Sequence, residues 1–164
     1  MRERKKLRKH DYDYSKPGFY FITICVHQRL RYKNIFGEIR NKKMYLNSNG
    51  EILLHCWNDL PNHYHNIKLN EFVIMPDHFH GIIQIIKKNA AGNGLKPFPA
   101  VTFHGLPEII RGLKTFSSRR INEKNSNLHF RWQKSYYDNI IYNLNMLHIF
   151  QNYIIYNPEN WKQK

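Results

Sequence analysis

Residues 72–83 read FVIMPDHFHGII, an apolar run interrupted by Pro76-Asp77 and followed at once by two histidines flanking Phe79. Val, Ile and Phe in short runs favour strands. Pro fixes φ for the second position of a type I turn, and Asp tolerates the third. The stretch therefore predicts a β-hairpin, with residues 71–75 running up and 78–86 running back. Side chains alternate along a strand, so His78 and His80 share one face while Phe79 points to the other. Two imidazoles standing side by side at a strand start are placed to hold a metal or a phosphate.

The rest of the chain sets bounds on that reading. Its 164 residues suit one domain with a core of its own, and 41% hydrophobic residues spread along the length exclude global disorder. No apolar segment approaches the roughly 20 residues of a membrane span. The first ten residues, MRERKKLRKH, are basic but lead into DYDYSK instead of an apolar stretch, so they do not read as a secretory signal. Cys25 and Cys56 have no framework spacing, which fits a reducing cytoplasm. The net charge of +14, with 15% aromatics, makes nucleic acid the leading partner: cations neutralise phosphates and rings stack on unpaired bases.

Residues 1–16 read as a basic arm in which Arg4, Lys5, Lys6 and Arg8 are candidate phosphate contacts, and 17–164 as a single domain. Strands are expected at 18–27 and 130–141, and a strand or hairpin at 35–46. Ser48 and Glu51 have capping-box spacing, opening a helix that Pro61 ends. Gly, Pro and Asn mark 87–100 as a connection. A helix over 107–122 carries Arg111, Lys114, Arg119 and Arg120 against the single acid Glu108, which leans towards DNA contact. A last helix covers 144–157. This order predicts an α+β fold, a ferredoxin-like sandwich of mostly antiparallel sheet with helices packed against it.

The second His-x-His, His63-Tyr64-His65, lies outside any strand pattern and reads as surface loop. Two imidazoles supply half a coordination shell, so oxygen ligands and a hard ion such as Mg²⁺ or Mn²⁺ are plausible. The absence of a D-x-D cluster argues against a two-metal nuclease. In NYIIYNP, Tyr153 and Asn157 are four apart and would share a helix face, although Pro158 disfavours helical geometry at Asn157. Pattern alone leaves Tyr153 open as core or as nucleophile.

The hairpin FVIMPDHFHGII, the stretch LKTFSSRR…FRWQKSYYDNII and the ending YIIYNPENW together resemble the REP-associated tyrosine transposases, within the single-tyrosine HUH transposases and nucleases. The resemblance runs from about Pro17 to Trp161. It implies that His78 and His80 bind a divalent ion, Mg²⁺ or Mn²⁺, with Asn157 as a further ligand. It also implies that Tyr153 attacks single-stranded or hairpin-forming DNA to give a 5′-phosphotyrosine, later rejoined by another 3′-OH. Tyr136 and Tyr137 read as structural or DNA-contacting, with the pair as a rival nucleophile, and Trp132 joins Tyr137 as a candidate DNA contact. Monomer or homodimer, and a tyrosine serving its own or a partner's histidines, stay open. The alternatives are a non-catalytic single-stranded nucleic-acid-binding module, whose histidines merely stack or hydrogen-bond, and a zinc hydrolase of small phosphoesters.

Overall fold

A computed structural model describes residues 11–86 and 103–161. The basic side chains Arg4, Lys5, Lys6 and Arg8 and the connection at 87–100 lie outside the described residues. The chain runs β1 (Gly18–Cys25), β2 (Gly37–Arg40), β3 (Lys43–Leu46), α1 (Ser48–Asn58), α2 (Leu60–His63), β4 (Ile67–Ile74), β5 (His78–Ile85), α3 (Leu106–Lys124), β6 (Tyr137–Ile141) and α4 (Leu144–Ile155). Four strands make one sheet in the order β4-β5-β1-β6, every neighbouring pair antiparallel; β2 and β3 form a separate ribbon. Taken without that ribbon, this is the split βαβ arrangement of a ferredoxin-like sandwich, as expected.

Alternation divides the sheet into two unequal faces. Tyr20, Ile22, Ile24 and Val26 of the first strand and its continuation join Phe79, Ile83, Trp57 of α1 and Ile109, Ile110 and Leu113 of α3 in the main core. Close approach here depends on glycine: a Cβ at Gly81 would come within 2.8 Å of both the Trp57 and Phe79 rings. Phe21 and Ile82 point the other way, into a smaller cluster with Ile141 and with Leu147 and Ile154 of α4. That second face carries the histidines.

Several expected boundaries move for identifiable reasons. Asn47, not Ser48, caps α1, accepting from the amides of Asn49 and Gly50 while its own amide group donates to the Ile35 carbonyl. Pro61 begins the short α2 instead of ending α1. The expected strand at 130–141 is regular only from Tyr137, with one bridge between Trp132 and Val26 before it. The arm is shorter than 16 residues: Tyr14 is buried in the main core, Tyr12 packs on it, and the Leu106 amide donates to the Tyr14 carbonyl. Two aromatic rings in DYDY outweigh their charged neighbours. Among the described residues, no helix is long and apolar enough to cross a membrane.

A histidine pair facing a C-terminal tyrosine

His78 and His80 open β5, opposite Cys25 and Thr23 of β1. Their rings are 4.7 Å apart on the sheet face covered by α4, while Phe79 is fully buried on the other. Each imidazole has one nitrogen committed. Nδ1 of His80 lies 2.8 Å from Thr23 Oγ1, and Nδ1 of His78 lies 2.7 Å from Asp77 Oδ1. A carboxylate only accepts, so His78 carries its proton on Nδ1 and offers the lone pair on Nε2. Nε2 of His80 is buried and has no hydrogen-bond partner. An orphaned imidazole nitrogen is costly unless something occupies it. Hydrogen-bonded Nδ1 with free Nε2 on both rings is the donor set a divalent cation takes from a histidine pair.

Electrostatics agree. Burial first, and the neighbouring His78 second, push the His80 pKa down to about 3, so its ring is neutral and able to ligate across the physiological range. Burial raises the Asp77 carboxyl, but the hydrogen bond from His78, the Tyr32 amide and the nearby Arg31 charge outweigh it, leaving Asp77 below its usual value. Among the described residues, no group of three His, Cys, Asp or Glu converges here or elsewhere. Further ligands, if bound, come from amide, phosphate or water oxygens.

The depressed His80 pKa has a thermodynamic consequence. Between pH 6.5 and about 3 the unfolded imidazole takes up a proton that the folded one refuses, so unfolding is favoured as pH falls. The contribution is intact above pH 6.5 and is lost progressively below it. Metal-free protein is expected to lose about 2 kcal/mol of unfolding free energy between pH 7 and pH 5 through this group. Urea titrations should show the slope flattened in His80→Gln; equal slopes for both proteins would contradict it.

The tyrosine helix meets the pair within one chain. Asn143 caps α4, its Oδ1 accepting from the Met146 amide, and Gln151 ties the helix to Glu71 of β4. The Tyr153 ring stands 5.2 Å from that of His80 and 5.8 Å from Phe21, and half its surface is exposed. It is therefore not a core residue. The helix ends at Ile155, so Asn157 does not share its face as the spacing suggested; it lies half-buried in the following turn, its amide donating to Ile154. That turn returns Trp161 to within 5.5 Å of the His78 ring, a neighbour that sequence reasoning missed.

Other expected site residues separate. Trp132 is buried against Phe36 and Phe130, and its indole donates to Ser117 Oγ, so it cannot stack on a base as expected. Tyr136 is buried as well, whereas Tyr137 is half exposed and sits opposite Thr23, in the transverse row that contains His80. Lys114 is not a free cation: Nζ donates to the carbonyls of Gln133, Lys134 and Ser135, pinning the segment before β6. Arg120 packs on Cys56 Sγ. Arg111 and Arg119 pair loosely with Glu108 and Glu123 and stay largely solvated. His63 pairs with Asp59 and stacks on Phe116 while Tyr64 is buried between it and His65, so the second His-x-His builds no joint site.

No family model matches the chain. An uncharacterized protein of Haemophilus influenzae is 34% identical over 171 residues, covering 99% of this chain and 92% of its own. Among solved structures, a REP-associated tyrosine transposase bound to a REP hairpin superposes with a TM-score of 0.56 at 16% identity, covering 96% of this chain and 77% of that one. A candidate transposase from Deinococcus radiodurans gives 0.50 at 17% identity, with 92% and 96% covered. The chain belongs to one family with the Haemophilus influenzae protein and has the fold of the REP-associated tyrosine transposase.

Proposed function

We propose that this protein cleaves and rejoins single-stranded DNA through a 5′-phosphotyrosine at Tyr153, using a divalent ion held by His78 and His80, on hairpin-forming repeat DNA. The observation that supports it best is the buried, unpartnered Nε2 of His80 beside an exposed phenol of the same chain. An ordinary core histidine would have both nitrogens satisfied.

A Mg²⁺ or Mn²⁺ ion bound there would draw charge from a non-bridging oxygen of the scissile phosphate. Asp77 holds His78 in the tautomer that presents Nε2, and Thr23 takes up Nδ1 of His80 and leaves its Nε2 open. Tyr153 Oη attacks phosphorus as the bond to the 3′-oxygen breaks, and the phenol proton is carried overall to that leaving oxygen. The phosphodiester energy is retained in the tyrosine ester, so a second 3′-OH can reverse the step on another strand without a nucleotide cofactor. Asn157, in the turn that follows the helix, is assigned as an additional oxygen ligand, and Tyr137 as a surface on which a base stacks. Trp161 covers the open side of His78.

The test is covalent capture. A labelled single-stranded hairpin with a short flank, mixed with protein and Mn²⁺ or Mg²⁺, should give a denaturation-resistant adduct that EDTA prevents. Non-covalent binding alone would favour a binding module instead. A separate expectation concerns Thr23. Thr23→Val, which keeps shape but removes the hydroxyl, should weaken Mn²⁺ binding by about 10–100-fold, as loss of an outer partner to a ligating histidine does. Thr23→Ser should restore it, read by calorimetry or by the electron paramagnetic resonance of free Mn²⁺.

A further inference from the structure

Beyond the end of β1 the chain lines a pocket of about 510 Å³ with His27, Arg29 and Lys33 on one side and His129 and Arg131 on the other. Leu30 and Leu128 complete it, and no carboxylate contributes. Among the described residues, Arg29, Lys33 and Arg131 have no ion pair. They differ in this from Arg111, Lys114, Arg119 and Arg120 of α3, which have local partners. Three permanent positive charges around one cavity without a counter-charge call for an anionic ligand.

Register relates this pocket to the histidine pair. Cys25 lies opposite His78, the Val26 amide donates to the Asp77 carbonyl, and the His27 amide donates to the Arg131 carbonyl. Val26 is buried in the main core and bridges Trp132, also buried. The pocket therefore lies just past the strand end at which Cys25 stands opposite His78. His27 is two residues past Cys25, about 7 Å along an extended chain. A second link runs through the loop itself: the Phe36 amide donates to the carbonyl of Pro76, next to Asp77, whose carboxylate lies 2.7 Å from His78 Nδ1. The Tyr32 ring, next to Lys33, is 62% exposed and offers a stacking surface.

We infer that this pocket seats backbone phosphates of the single strand whose scissile phosphate lies at the histidine pair, with Lys33 and Arg131 as the principal contacts. The inference rests on the DNA reading above and extends it by giving the strand a path, from the pocket past Asp77 to the histidines. A single strand is preferred to a free phosphate because the cations are spread over two segments and accompanied by an exposed ring and apolar surface, which suit sugars and bases.

The experiment uses the full chain, a fluorescent single-stranded hairpin with a short flank, and EDTA, so that binding is read without metal. Lys33→Gln/Arg131→Gln is compared with Lys42→Gln/Lys43→Gln, exposed at the tip of the β2–β3 ribbon; each double variant lowers the net charge from +14 by two. The pocket variant should bind about tenfold or more weakly, and its log K against log salt slope should fall by about 1.4, two contacts at roughly 0.7 each. The ribbon variant should stay within about twofold of the wild type. Equal losses in both, or none in either, overturn the proposal. So does binding of inorganic phosphate that is lost in the pocket variant while oligonucleotide binding is kept, since that describes a free-anion site. Adduct formation with Mn²⁺ is scored on the same DNA. An adduct without pocket dependence sinks the pocket alone, and pocket dependence without an adduct sinks the Tyr153 mechanism alone.

Discussion

Tyr153→Phe is expected to abolish the covalent DNA adduct, a fall of at least about 10³-fold, while leaving fold and hairpin binding intact. The substitution removes one oxygen. The ring keeps its edge contacts with His80 and Phe21, and half of it faces solvent, so little packing is disturbed. A loss of adduct therefore reports chemistry and not unfolding, which a thermal melt checks. Tyr136→Phe should retain the adduct because that side chain is buried among core aromatics. Tyr137→Phe is the sharper comparison. Its ring is exposed on the histidine face but stands on β6, with β1 between it and β5. Two interstrand spacings put its backbone about 10 Å from that of His80. Adduct surviving Tyr153→Phe and lost in Tyr137→Phe would transfer the nucleophile to β6 and overturn the assignment.

Binding should also depend steeply on salt. If the DNA makes 6–10 phosphate contacts, affinity falls by about 10³–10⁵ between 50 and 200 mM monovalent salt. The net charge of +14 makes that number of contacts available, and Arg29, Lys33 and Arg131 are solvent-exposed without ion pairs among the described residues. Titrating labelled hairpin at four or five salt concentrations gives the slope directly. A flat response would mean that the positive surface serves something other than nucleic acid. A steep slope shared equally by every basic substitution would mean a diffuse field with no defined strand path.

The pH and Thr23 experiments probe one structural fact from opposite directions. Burial makes His80 refuse a proton, and Thr23 decides which nitrogen remains open. Loss of the first appears as a changed stability slope without metal; loss of the second appears as weaker metal binding at constant pH. A histidine retained only for packing would show the first without the second.

Local rules sufficed for what depends on neighbours in the chain. Pro76-Asp77 makes the turn, a period of two puts His78 and His80 on one face, and apolar spacing marks α1, α3 and α4. Their order is enough to suggest the ferredoxin-like sandwich. Where local signals compete, spacing does not decide between them: Ser48 and Asn47 are both good caps, and Asn47 prevails because its amide group also reaches the Ile35 carbonyl, 12 residues away. Residue type was a poor guide to exposure for the same reason. Trp132 and Lys114 look like DNA contacts, yet one fills the core and the other satisfies three carbonyls, partners set by how α3 lies against the segment before β6.

The paired imidazoles, the basic charge and the tyrosine helix are legible in the bare chain, because each follows from composition or from spacing within one element. Packing in three dimensions is what brings α4 across the histidine face in the same chain, sets Thr23 and Asp77 against Nδ1 of each ring, and gathers Arg29, Lys33 and Arg131 beyond β1. Those relations join segments separated by dozens of residues. They are set by strand register and by which sheet face each helix covers, and no local periodicity encodes either.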